Sequence, residues 1–294
     1  MIHGHSFYFA DQPGLQAEYE SFGFESRAED PETITVTQMR SHAGFERRNG
    51  LRYMSGRFCS YLSDDAFTME EPRGDWGLEV QGVLSLAWDA VGRNIYYGKD
   101  SGFTPELLRF WIWHTFFPLV LDLERSYKMF HVGGVEIGGG AVLFSAASFG
   151  GKSTMTDYFI QKGHALYSDD TLPVRWVGDS YLAYPSFPYH RPYRRVESLG
   201  IPVKNFARNP APIRAIFELR PAAPDAAVEI TPVKGVEKFN ILHQSHFIRF
   251  SYLKHRRFAF ALEMAKYVPV YTLTVPWDLN RLDEVYERVV TRLA

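Results

Sequence analysis

The spacing of hydrophobic positions changes along this chain, and the change divides it. Through the first hundred residues the pattern is strand-like. Thr33–Met39 (TITVTQM) alternates β-branched residues, and Phe58–Leu62, Gly77–Trp88 and Asn94–Tyr97 continue in the same style. Phe45–Arg48, Asn49-Gly50 and Leu51–Met54 read as strand, turn and strand, because Asn-Gly suits the two left-handed positions of a type I′ hairpin turn. Leu107–Leu121 (LLRFWIWHTFFPLVL) is then almost wholly apolar. It carries Arg109, His114 and Pro118 and is shorter than the roughly 20 residues a bilayer-spanning helix needs, so it predicts a buried core helix kinked at Pro118. Thr104 and Pro105 supply its N-cap and first helical position.

From Lys128 onward strands, loops and helices alternate, which is an α/β pattern. Ala141–Ser145 is a short apolar strand. Ser153–Lys162 follows as a helix, with Met155, Tyr158, Phe159 and Ile160 at helical spacing and Gly163 as its stop. Ala165–Ser168, Ile213–Leu219, Val228–Val233 and Val268–Val275 read as strands and Tyr252–Lys266 as a helix. Asp278 caps a last helix whose apolar face (Leu279, Leu282, Val285, Tyr286, Val289, Leu293) is suited to pack on a sheet. The chain therefore predicts a smaller β-rich N-terminal domain over residues 1–105 and an α/β domain over 106–294, with the aromatic helix at the join.

Composition narrows the function classes. The 294 residues are 46% hydrophobic and 16% aromatic, enough for a packed core. A net charge of −2 and a pI of about 6.6 give no global field to recruit nucleic acid or an anionic membrane, and neither is expected as a partner. Cys59 is the sole cysteine, which excludes an intrachain disulfide and any multi-cysteine metal site and makes a reducing, cytoplasmic location the natural expectation. Met1–His5 is neither basic nor apolar, so no signal peptide is expected. His3 and His5 read as a mobile terminus without a metal, and Lys254–Arg257 as a solvated basic face.

The chemistry sits between the Ala141–Ser145 strand and the Ser153 helix. Ala146-Ala147-Ser148-Phe149-Gly150-Gly151-Lys152-Ser153-Thr154 is a phosphate-binding loop of the form G-x-x-x-x-G-K-[ST], with Ala146 standing where the first glycine is expected. Backbone amides at a helix start, together with the helix dipole, favour an anion. Lys152 is placed to reach the β- and γ-phosphates, and the Ser153 hydroxyl to ligate Mg²⁺. One helix, one turn and one strand further on, Asp169-Asp170 return carboxylates to the same end of the sheet. This pattern predicts a nucleotide site holding ATP and Mg²⁺.

The stretch from Phe130 to Pro173 resembles the catalytic domain of HPr kinase/phosphorylase and the HPr-kinase-like serine kinases, including those that modify lasso peptides. The resemblance lies in His131, Val135-Glu136-Ile137, the Ala141–Ser145 strand, Gly151-Lys152-Ser153, Gly163-His164 and Asp169-Asp170, in that order. Pro269–Leu273 and the helix after it extend it more weakly, and ATP-dependent phosphoenolpyruvate carboxykinases are a more distant echo. It implies a P-loop domain of the HPr kinase/carboxykinase type, with His131 at the active site. The first hundred residues do not resemble the N-terminal domain of HPr kinases. Ala146 and Phe149 depart from the family loop. The arginine-glycine segment that follows the Asp-Asp pair in HPr kinases is missing, and Tyr189–Arg195 is its local substitute, with Arg191, Arg194 and Arg195 as a phosphate or substrate clamp.

The roles expected are Asp169 as base, helped by His131, Lys152 on the γ-phosphate, and Ser153 with Asp170 on the metal. Asp169 and Asp170 can exchange roles, because adjacency does not decide which faces the metal. The expected activity is transfer of the γ-phosphate of ATP to a hydroxyl, foremost a serine of a peptide or small protein. The alternatives are a small-molecule acceptor, a nucleotide-binding module without catalysis, and a carboxykinase-type enzyme. A homo-oligomeric state is left open.

Overall fold

The computed structural model describes residues 1–25, 30, 32–39, 47–63, 75–147, 149–192, 195–250 and 253–294, with backbone alone at 47–51. It is a mixed α/β protein that divides into two compact units, residues 1–125 with 194–199, and residues 126–193 with 200–294. The aromatic helix thus groups with the first unit. No helix among the described residues is long and apolar enough to cross a membrane.

The first unit holds β1 (Ser6–Phe9), α1 (Pro13–Ser21), β2 (Thr33–Gln38), β3 (Arg47–Met54), β4 (Arg57–Ser63), β5 (Trp76–Val80), β6 (Leu84–Asp89) and β7 (Asn94–Lys99), followed by α2 (Pro105–Phe110), a π-helical segment (Trp111–Phe116) and α3 (Phe117–Leu123). Its strands form one sheet in the order β1-β2-β7-β6-β5-β4-β3. Asn49-Gly50 is not a turn. It lies inside β3, where the register against β4 shifts between Asn49 and Leu51, and the chain reverses instead at Ser55 and Gly56, both with positive φ. Pairing with β4 overrides the dipeptide's turn preference and leaves it as a bulge. Phe45 and Glu46 lie outside the described residues. Gly77–Trp88 is a hairpin of β5 and β6, reversing at Gly82 with φ +72°. Helix α1 follows a strand whose pattern gave no warning of it; only Leu15 and Tyr19 are buried, too few to mark a helical stripe.

Thr104 caps α2, its hydroxyl accepting from the Leu107 N–H at 3.3 Å. The expected kink at Pro118 is taken up by the widened π segment. Pro118 has no N–H to donate to the preceding turn, and the Phe117 N–H reaches back five residues to the Ile112 carbonyl. All six residues from Trp111 to Phe116 are buried. Trp113 meets the Phe7 and Phe9 rings edge-on, and Phe7 meets Phe117 at 4.9 Å between centroids. His3, far from mobile, is fully buried, with Nε2 2.8 Å from the Trp113 carbonyl oxygen.

The second unit holds β8 (Lys128–His131), β9 (Gly133–Ile137), β10 (Gly140–Ser145), α4 (Lys152–Gln161), β11 (Leu166–Ser168), β12 (Thr171–Val177), β13 (Ser180–Ala183), β14 (Tyr189–His190), β15 (Ile201–Pro202), β16 (Ala211–Ala222), β17 (Ile230–Pro232), α5 (Gly235–Gln244), α6 (Lys254–Tyr267), β18 (Val270–Pro276), a 3₁₀ turn (Leu279–Arg281) and α7 (Leu282–Leu293). The main sheet runs β11-β9-β10-β16-β13-β12-β8, with β18 also on β16 and β17 on β18. Strand β10 is buried throughout. Ala141 and Leu143 join a core with Leu242 of α5 and Met264 of α6, whereas Val142 and Phe144 join one with Phe159 of α4 and Val289 of α7. A strand covered on both faces reads as an unbroken apolar run, as Ala141–Ser145 does. Strand β17 covers only part of Val228–Val233. Tyr252 lies outside the described residues. Lys254 and His255 are exposed as expected, but Arg257 turns inward and donates to the Phe250 carbonyl at 2.6 Å.

Burial lowers the His3 pKa from 6.5 to about 3, so this ring stays neutral in the folded chain while the unfolded chain takes up a proton below pH 6.5. Its contribution to stability is therefore complete above pH 6.5 and is lost as pH falls toward 3. His3→Gln should be less stable than the parent at pH 7, with the gap in urea denaturation closing by about 1 kcal/mol per pH unit on acidification below 6. A gap independent of pH would mean that His3 is protonated in the fold.

Candidate active site

Strand β10 ends at Ser145 and the chain turns through 146–151 into α4. Ala146 lies outside the left-handed region, so its methyl is accommodated where glycine was expected, packed beside the core under α4. The crowding falls on Gly150 instead: a Cβ there would sit 2.8 Å from the Ala146 Cβ and 3.0 Å from the Ala147 oxygen. Gly151 adopts φ +88° and opens the helix. Phe149 has φ +62° and is 83% exposed, so its ring points away from the space the backbone encloses. Ser148 lies outside the described residues.

No side chain caps the start of α4 among the described residues. A helix start of this kind suits an anion. Lys152 is buried and folds over the loop, its Nζ donating to the Ala146 carbonyl at 2.9 Å, with the Ala147 carbonyl at 3.5 Å. Ser153 is half-buried and Thr154 exposed at the helix start.

The two carboxylates occupy the join between β11 and β12, both buried. Strand β8 lies against β12 with His131 opposite Thr171, and the Val132 N–H donates to the Asp170 carbonyl at 3.1 Å. That register brings His131 Nδ1 to 2.9 Å from Asp170 Oδ1. The other oxygen of Asp170 is 3.7 Å from Arg191 Nη1. Asp169 Oδ2 accepts from the Arg191 backbone N–H at 2.8 Å and lies 3.1 Å from His190 Nδ1. His190 Nε2 is in turn 3.2 Å from Asp157 Oδ1, on α4. The contacts of His190 are ion-pair distances without hydrogen-bond alignment. Asp169 Oδ1 is buried with no hydrogen-bond partner.

These contacts tie the carboxylates to the phosphate loop from two sides. Through His190, Asp169 is connected to Asp157, about a turn and a half beyond Lys152 on the same helix. Through His131, Asp170 is connected to the loop's other end: the His131 N–H donates to the Ser245 carbonyl at 2.6 Å, and the Ser245 and Ser145 hydroxyls are 3.0 Å apart. Both chains of contact lie within the second unit. The structure thus brings His131, Asp169, Asp170 and Arg191 together. Arg194 lies outside the described residues, and Arg195 is exposed and belongs to the first unit.

His190, Asp157 and Ser245 escaped sequence reasoning. His190 stood in the quoted Tyr189–Arg195 stretch, but the arginines beside it drew the functional reading. Among the described residues no group of three or more His, Cys, Asp or Glu side chains is arranged to hold a metal by itself. Mg²⁺ in nucleotide sites takes one or two carboxylates plus phosphate oxygens and water, and a hydroxyl with one carboxylate, Ser153 and Asp170, fits that donor set.

No protein-family model and no curated protein matches the chain. Among solved structures, the chain is similar to the HPr(Ser) kinase/phosphatase from Coxiella burnetii, at 13% identity and a TM-score of 0.33, over 56% of this chain and 97% of that one. The chemical reading therefore rests on the side chains themselves.

Proposed function

We propose that this chain is an ATP-dependent kinase that transfers the γ-phosphate to a hydroxyl, with a serine of a peptide or small protein as acceptor. The observation that carries the reading is the chain of contacts Asp170–Arg191–Asp169–His190–Asp157, which runs from a buried carboxylate pair onto the helix that opens at the phosphate loop. Phosphoryl transfer asks a protein chiefly for positioning and for charges set against the phosphates, and each requirement has a residue here.

In this reading the loop amides up to Ser153 hold the phosphates, and Lys152 exchanges its loop carbonyls for phosphate oxygens. Asp169 is the base. One of its oxygens is anchored by the Arg191 N–H, and the other, Oδ1, is free to accept the acceptor's proton. The hydroxyl oxygen then attacks the γ-phosphorus, the bond to the β,γ-bridging oxygen breaks, and ADP leaves with that electron pair. Ser153 and Asp170 would hold Mg²⁺, which when bound neutralises phosphate charge. His131 fixes Asp170, and Arg191 stands beside both carboxylates. Mg²⁺ and ATP are the implied cofactors.

Mg-ATP should raise the melting temperature, since a ligand that binds only the folded state stabilises it. Lys152→Ala should remove most of that rise, and no rise in the parent at millimolar Mg-ATP would sink the nucleotide reading. Asp169→Asn should keep Mg-ATP binding while lowering kcat by roughly 10²–10⁴-fold, the range for loss of a general base. Asp170→Asn should weaken binding and turnover together; the opposite pattern would exchange the two roles, and no effect of either would leave the reaction without its base.

The loop's departure from the glycine pattern has its own test. Ala146→Gly should change Mg-ATP affinity by less than about tenfold, or about 1.4 kcal/mol, because the native alanine already avoids the left-handed region. A much larger gain, measured by calorimetry, would mean that the native loop is impaired and would favour a binding module without catalysis.

A further inference from the structure

A second feature of the phosphate loop is unused by the phosphoryl chemistry. A cavity of about 230 Å³ opens beside it, with Gly150, Gly151 and Thr154 on one side and Trp277, Leu279 and Leu282 among the residues on the other. Its side-chain lining is almost wholly apolar. The size suits one ring system better than a whole drug-sized ligand, whose pockets run to roughly 300–1,000 Å³. Trp277 follows β18 and is 61% exposed although it is the largest side chain at the rim. Its backbone is fixed, the N–H donating to the Ala222 carbonyl at 3.0 Å, and the position of a Cβ built on Gly151 lies 4.0 Å from its indole ring.

The cavity and the carboxylates lie against different faces of α4. Thr154 and Met155 line the cavity, whereas Asp157 faces His190. On the helix Met155 is about 160° from Asp157 but Thr154 only about 60°, so the cavity reaches from the far side of α4 round toward the helix start. A triphosphate held by the loop amides with its γ-end toward Asp169 would leave its other end beside Gly150 and Gly151, where the cavity opens.

We infer that this cavity takes the purine base of the nucleotide, with the Trp277 indole as its stacking platform, and that it reads the base's edge weakly. The inference rests on the kinase reading, which supplies the triphosphate. Apolar burial and stacking act on any purine face. The lining offers only two polar side chains, Thr154 and Asp278, and one Asp278 oxygen is engaged: Oδ1 accepts from both the Asn280 N–H at 2.9 Å and the Asn280 side-chain amide at 3.0 Å.

The test is calorimetric titration of the full chain with Mg-ATP, Mg-GTP and Mg-tripolyphosphate. Tripolyphosphate carries the phosphates without a base. Trp277→Ala should bind Mg-ATP about tenfold more weakly and tripolyphosphate unchanged, with Trp277→Phe recovering most of the loss. ATP and GTP should bind the parent within about tenfold of each other. If Trp277→Ala leaves ATP affinity intact, or weakens ATP and tripolyphosphate alike, the base does not sit there. If the parent binds tripolyphosphate as tightly as ATP, the base pocket falls while the phosphate loop stands. A parent that binds none of the three overturns the kinase reading and the pocket together, and a preference between ATP and GTP of a hundredfold would overturn the weak edge readout.

Discussion

Strand β10 is covered on both faces, and this constraint decides where everything chemical in the second unit can stand. Its residues alternate between two cores, so a slip of one position would exchange Leu143 with Phe144 across the sheet and misfit both. Held in this way, the strand delivers Ser145 to a fixed point, and the turn after it has only one short path into α4. Gly150 passes close to Ala146 on that path, and Lys152 folds back over the loop carbonyls. The loop's shape is thus a consequence of packing below it as much as of its own glycines.

The buried charges obey the same logic at higher cost. Asp169, Asp170, Lys152 and His190 are all nearly removed from solvent, and buried polar groups are tolerated only when other polar groups answer them. Almost every oxygen and nitrogen in the cluster faces such a group. Asp169 Oδ1 has no hydrogen-bond partner, and an unanswered carboxylate oxygen is a place for a substrate atom. The neighbouring apolar cavity follows the opposite rule, gathering ring surface without polar partners. Two contrasting solvent environments therefore meet at one helix start.

How far this was legible in the sequence depends on the range of the interaction. The loop, its flanking strand and helix, the Gly163 stop and the Thr104 cap are set by neighbours a few residues away, and the residue pattern announced them. The arrival of Asp169 and Asp170 at a strand end was legible because β11 is short and apolar. His190 and Ser245 were not, since their importance lies wholly in what the fold places beside them across long separations. Asn49-Gly50 misled for the same reason: a local turn preference yielded to pairing with β4. Trp277 gave no signal, being one aromatic residue among many until β18 and the loop are side by side.

The π-helical segment before Pro118 has a genetic consequence. A π turn holds more residues than an α turn, so the codons for 111–116 behave as an inserted residue already absorbed by the fold. Deleting one of them would let regular helical hydrogen bonds re-form on either side. Because the π turn has absorbed the extra residue, the side chains after it would keep their places, Phe117 against Phe7 among them. The segment is consequently where this helix can lose one residue, whereas a deletion in the α-helical turns beside it would rotate every later side chain by about 100°.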